Sequence, residues 1–182
     1  SQEHPRAGEM VQRALQDLGV NLHLGLEIKK ISTFEDGKRV LTDKFEFVTE
    51  EVLIALGRRP NTEGLALERV DVMTDSNGAI LVDDRLRTSN KKIYAAGDCV
   101  QGSHCTQQAD MQARVLVQNS LFLPSASIRK FEVPHCTYTS PEVASIGPSD
   151  RQLNHDGIQF DEYEVGFNEV DRARVAKQMD GF

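Results

Sequence analysis

No apolar run in the 182-residue chain is long enough to cross a bilayer, and no secretory apolar core lies near its start. The sequence therefore predicts no membrane partner. Cysteine is scarce: Cys99, Cys105 and Cys136 are odd in number and not closely spaced, which excludes a disulfide scaffold. That favours the cytoplasm or another reducing compartment, an organelle included. Basic residues are not in excess; the net charge is −7 and the charges are mixed, against the basic face that nucleic acid selects. The histidines, His4, His23, His104, His135 and His155, lack ligand spacing, so no metal site is expected. Neither Gly-x-Gly-x-x-Gly nor Gly-x-x-x-x-Gly-Lys-[Ser/Thr] occurs, and there is no repeat or low-complexity tract. An initiator methionine is also missing: the chain runs from Ser1 to Gly181-Phe182, as an excerpt from a longer polypeptide would.

What is present centres on Thr88 to Asp98. Ile93 to Ala96 reads as a short apolar strand that stops at Gly97 and then presents Asp98. An acid just past the carboxyl end of a buried strand is placed for ligand contacts in an open α/β sheet. It can accept hydrogen bonds from sugar or sugar-alcohol hydroxyls. Taken alone, Gly97-Asp98 reads first as an ordinary turn. A helix predicted from about Gln107 to Phe122 follows, with Ala109, Ala113, Leu116, Val117 and Leu121 among its inner residues. Its first amide groups and positive dipole end would point into the crevice that holds Asp98, a good place for a carbonyl or phosphate.

Upstream, helical spacing of Ala7, Met10, Val11, Ala14, Leu15 and Leu18 predicts an amphipathic helix over 6–18. Strands are expected at Val20–Leu24, Ile28–Phe34 and Arg39–Thr42, the last two joined across Glu35-Asp36-Gly37-Lys38, and β structure around Phe45 and Phe47. The continuous apolar run Val52–Leu56 suggests a strand buried on both faces. It ends in Gly57-Arg58-Arg59-Pro60-Asn61, whose arginines suit either a solvated loop or an anion contact. A turn at Asp75–Gly78 precedes a strand at Ala79–Val82. Beyond a linker at Leu123–Ser127, strands are predicted at Thr137–Thr139 and Val143–Ile146, a weak helix at 149–154 and a strand at Tyr163–Phe167.

Three motifs agree in order and spacing with one family. Ala55-Leu56-Gly57-Arg58-Arg59-Pro60-Asn61 resembles the A-T-G-R-x-P-N segment of the FAD-dependent pyridine nucleotide–disulfide oxidoreductases. Thr88–Asp98 resembles their second FAD motif, and Val133-Pro134 with Tyr138–Ala144 resembles the opening of their dimerisation domain. Ala109–Arg114, Asn119–Phe122 and Asp171-Arg172-Ala173 look most like the mercuric-reductase-like branch, to which dihydrolipoamide dehydrogenase and glutathione reductase are close.

The resemblance implies an α/β fold, α+β at the C-terminus: part of a flavoprotein with two dinucleotide-binding domains, plus the start of the dimerisation domain. Residues 1–60 would be the C-terminal half of the NAD(P)-binding domain, 61–130 the C-terminal segment of the FAD-binding domain, and 131–182 the first part of the interface domain. It implies FAD and NAD(P)H as cofactors, a homodimer through residues from about 131 onward, and a small-molecule or disulfide substrate. Asp98 would hold a ribityl hydroxyl of FAD, with Gly97 before it. His104, Cys105, Thr106 and Gln107 would lie against the flavin, Gln107 by its backbone alone because relatives often carry histidine there. Gly57 would let the nicotinamide dinucleotide approach. The family's Cys-x-x-x-x-Cys is missing, since Cys99 and Cys105 enclose five residues, and its histidine–glutamate pair should lie beyond Phe182. This stretch should thus be inactive unaided. Alternatives are an NADH-oxidase or ferredoxin-reductase type without the redox disulfide, a non-catalytic nucleotide-binding module, and an interaction domain.

Overall fold

The computed structural model describes residues 3–102 and 104–182. The chain divides into two units, Leu15–Gly57 and the remainder (up to Ala14 and from Arg58 on). The first helix, α1 (Pro5–Asp17), lies close to its predicted span, and the backbone N–H of Val20 closes it on the Leu15 carbonyl at 3.0 Å.

The Leu15–Gly57 unit is an antiparallel meander of β1 (Ile28–Phe34), β2 (Gly37–Thr42) and β3 (Glu46–Thr49). The hairpin falls where the Asp-Gly pair suggests, but Phe34 already pairs with Gly37, leaving a two-residue loop of Glu35 and Asp36. His23, Phe45 and Phe47 form a ring cluster, with His23 and Phe47 centroids 5.0 Å apart. Two expected strands do not form: Val20–Leu24 is irregular, and Val52–Leu56 is an open, unpaired segment. Leu53 is 92% exposed. A strand buried on both faces needs neighbours on both sides; the sheet of this unit ends at β3 and supplies none.

In the larger unit, Val72, Ile80, Ala95 and Val100 form the core, with Leu67, Val82, Ile93 and Cys99 packed against it. The expected strands Ala79–Val82 and Ile93–Ala96 are reduced to single bridges, Thr74 with Ile80, Ile80 with Val100, and Arg87 with Tyr94. The backbone is still paired locally, Ile80 N–H to Cys99 O at 2.8 Å and Thr88 N–H to Ile93 O at 3.0 Å. Two carboxylates organise the intervening turns. Asp75 Oδ1 accepts from the N–H groups of Asn77 and Ala79, and Asp83 Oδ1 from those of Arg85 and Arg87.

Both acids sit below the usual carboxylate range. For Asp75 the Gln101 side chain is the main cause, followed by the Ala79 and Asn77 amides. For Asp83 burial pushes upward, but the Arg87 amide and guanidinium and the Arg85 amide outweigh it. A depressed folded value means stability that is present above the unfolded value of about 3.9 and lost as pH falls through the folded one. The urea midpoint of the whole protein is expected to fall as pH drops below about 4. Asp75→Asn with Asp83→Asn should flatten that slope; an unchanged slope would contradict the assignment.

The unit continues with α2 (Thr106–Leu121), the antiparallel pair β4 (His135–Thr137) and β5 (Val143–Ser145), α3 (Asp150–His155) and α4 (Asp171–Ala176). The strand expected at Tyr163–Phe167 is absent, and α4 was not foreseen. Tyr163 is exposed, and among the described residues no strand pairs with its segment. The inner face of α2 also differs from expectation: Ala113, Val117 and Leu121 face outward, while Gln112, Val115 and Asn119 are buried. The reason is polar. Asn119 Nδ2 donates to the carbonyls of Arg85 and Ala126, and Asn119 Oδ1 accepts from the Ala126 N–H, so these amides satisfy backbone that no ladder pairs.

Candidate functional site

Asp98 lies on a single helical turn, Gly97–Cys99, closed by the Val100 N–H on the Gly97 carbonyl at 3.2 Å. Gly97 has φ 81°, a conformation that costs an L side chain, and a Cβ there would stand 3.7 Å from that of Ala109 on α2. Its N–H donates to Gln112 Oε1 at 2.6 Å, which fastens the turn to the inner face of α2. The side chain of Asp98 is 49% exposed, so its carboxylate remains open to a ligand.

Arg58 joins the two ends of the loop that follows. Its Nη1 donates to Asp98 Oδ2 at 3.1 Å and to the His104 carbonyl at 3.0 Å. The pair is well exposed, so it orients more than it stabilises. His104 adopts φ 49°, unusual outside glycine, and its Nε2 is buried without a hydrogen-bond partner among the described residues. Cys105 is extended and α2 begins at Thr106 with no side-chain cap. Gln107 Nε2 donates to Tyr138 Oη at 2.7 Å, tying the start of α2 to the segment after β4, while Gln107 Oε1 is buried and unpartnered among the described residues.

Gly97, Asp98, His104, Cys105, Thr106 and Gln107 thus line one turn, loop and helix start. Gly57 belongs to the Leu15–Gly57 unit, where its φ is 123° and nothing lies within 4 Å of a Cβ built on it. Two residues of this locality were not singled out from sequence as site residues, Arg58 and Gln112. Arg58 carried a signal in Gly57-Arg58-Arg59-Pro60-Asn61, where a solvated loop was the preferred reading over an anion or nucleotide contact. Gln112 carried only its spacing from Asn119 along one helix face. None of the three cysteines is joined in a disulfide. Among the described residues no group of three or more His, Cys, Asp or Glu is placed to hold a metal ion, and no helix is long and apolar enough to cross a membrane.

The chain belongs to the pyridine nucleotide-disulphide oxidoreductase family: residues 1–113 match that family's model, and residues 133–182 match the family's dimerisation domain. The family is FAD- and NAD(P)H-dependent. Among particular relatives, a mercuric reductase of Staphylococcus aureus is 31% identical over 97% of this chain and 33% of its own length. A mercuric reductase of Shigella flexneri is 32% identical over 99% of this chain and 32% of its own length. The mitochondrial dihydrolipoyl dehydrogenase of Dictyostelium discoideum is 28% identical over 94% and 36%. The chain therefore spans about a third of the length of the curated relatives it matches. Among solved structures, the Cu(II) complex of the HOCl-induced flavoprotein disulfide reductase RclA of Escherichia coli superposes with a TM-score of 0.85 at 25% identity, over 99% of this chain and 41% of that one. A water-forming NADH oxidase of Lactobacillus brevis, bound to NADH, gives 0.68 at 25% identity over 85% and 36%.

Proposed function

We propose that this chain is the flavin-contacting part of an oxidoreductase that passes a hydride from NAD(P)H to FAD and on to a disulfide or metal-ion acceptor. The observation that carries the reading is the open Asp98 carboxylate on a turn backed by the start of α2. The residues present fit the cofactor. Asp98 Oδ1 is the oxygen assigned to a ribityl hydroxyl, because Oδ2 accepts from Arg58. The Thr106 amide, at an uncapped helix start, suits the pyrimidine-side carbonyl of the ring. When bound, FAD supplies the hydride-accepting chemistry. The dipole of α2 then favours negative charge at that end of the ring. Cys105, His104 and the Gln107 backbone are assigned to the same flank, and Gly57 to the approach of the nicotinamide dinucleotide.

The proposed division is 1–60 for the NAD(P)-binding segment, 61–130 for the FAD segment and 131–182 for the interface segment. The acceptor chemistry lies outside these residues, which contain no Cys-x-x-x-x-Cys. Three cysteines without a disulfide accord with the cytoplasm or another reducing compartment. An NADH-oxidase type is the weaker reading, since that likeness covers less of the chain at a lower TM-score.

Anaerobic titration of the purified full-length protein with NADH and with NADPH tests the proposal. Bleaching of a bound flavin by at least one nucleotide is expected. A flavin-free protein that leaves both nucleotides unoxidised would overturn it. A homodimer, formed through residues from about 131 onward, is expected by sedimentation at micromolar concentration; a monomer there would contradict that partner assignment.

A further inference from the structure

The turn that carries Asp98 has no ladder to hold it in place. Its neighbours Ala95 and Val100 are buried, but Ile80 with Val100 and Arg87 with Tyr94 are isolated bridges, and Gly97 lies between them with its N–H turned toward α2. One side chain receives that N–H. Gln112 is 3% exposed, and its Oε1 accepts at 2.6 Å from the residue directly before Asp98. The Gly97 N–H is part-buried, and a group so shielded costs free energy when it loses its acceptor, while a glycine at positive φ has few restraints of its own. The Gly97 amide would then be free to rotate, carrying the Asp98 carboxylate away from the helix start.

We infer that Gln112 is a positioning residue for the flavin site: through the Gly97 amide it fixes Asp98 against the start of α2, so its contribution to cofactor binding is expressed only through that carboxylate. This rests on the reading of Asp98 as the ribityl acceptor. Asn119 provides the internal contrast. It is equally buried on the same face of α2, yet its amide holds Arg85 and Ala126, far along the helix from the Asp98 turn. Two buried amides on one helix thus serve two places, and only one of them touches the site.

The test measures FAD affinity in the full-length apoprotein for wild type, Gln112→Met, Asp98→Ala, the double variant and Asn119→Leu. Gln112→Met keeps the volume but offers no comparable acceptor, and about a tenfold rise in Kd is expected, the size of one lost hydrogen bond. The double variant should bind no more weakly than Asp98→Ala alone, because the two changes remove one interaction. Asn119→Leu should lower the unfolding midpoint while leaving the FAD Kd within about twofold, which a general loosening of α2 would not do. Unchanged affinity in Gln112→Met, or a loss that adds fully to that of Asp98→Ala, overturns the inference. Should Gln112→Met fail to fold, Gln112→Asn, which withdraws the acceptor by one methylene, takes its place in the same cycle with the same two outcomes. If Asp98→Ala itself binds FAD as wild type does, the flavin reading fails; if only the Gln112 variants do, the inference alone fails.

Discussion

Asp98→Ala in the full-length protein is expected to weaken FAD binding by roughly one to two orders of magnitude while the fold persists. A hydrogen bond to a charged group is worth about 1.5–3 kcal/mol, and each 1.4 kcal/mol is tenfold in affinity. The fold should persist because the side chain is about half exposed and its ion pair with Arg58 is solvated. Asp98→Asn makes the comparison sharper. It keeps an oxygen acceptor for a ribityl hydroxyl but gives up the charge that Arg58 faces, so its affinity should fall between wild type and Asp98→Ala. Equilibrium titration of apoprotein with FAD checks both, with circular dichroism as the control for folding. Wild-type affinity in Asp98→Ala would remove the carboxylate from the site.

Leu86→Ala is expected to cost about 2–5 kcal/mol of stability, the range for a buried leucine truncated to alanine. Leu86 is 0% exposed, its N–H donates to Asp83 O, and its carbonyl accepts from Ala95 N–H two residues before Gly97. Its backbone sits at φ 65°, a strained value that alanine would share, so the change isolates the lost packing from the backbone cost. Urea unfolding should show a lowered midpoint with an unchanged slope, and flavin affinity of the folded fraction should stay near wild type. A loss below about 1 kcal/mol would mean that the side chain is not a core element.

The elements legible in the sequence were those that depend on neighbours close by in the chain. α1 and α2 were placed by their own local pattern, and the β1–β2 hairpin carried Asp36-Gly37. β4 and β5 lie next to each other across Ser140-Pro141-Glu142, so their pairing needed nothing remote. Three of the segments that failed as strands, Val52–Leu56, Ala79–Val82 and Ile93–Ala96, share a different property. Each was assigned from apolar character, which reports burial in a sheet but cannot supply the flanking strands that a sheet requires.

The candidate site divides along the same line. The run from Gly97 to Gln107 was readable because it is contiguous: a glycine, an acid, a short loop and a helix start. Arg58 reaches Asp98 from 40 residues away, and the sequence offered no way to decide which of Arg58 and Arg59 made a contact. Gln112 was hidden for a chemical reason. Apolar residues were taken as the inner face of α2, whereas the backbone packed against that face needs acceptors and donors, and Gln112 and Asn119 provide them. An amide pair seven residues apart on a helix that follows unladdered backbone is the signal to look for.

The central claim concerns one oxygen atom and one helix start. A crystal structure of the full-length protein with its FAD measures both at once. The account predicts Asp98 Oδ1 within about 3 Å of a ribityl hydroxyl and the Thr106 amide directed at the ring carbonyl beside it. A flavin bound elsewhere, with Asp98 paired only to Arg58 and open to water, would contradict it.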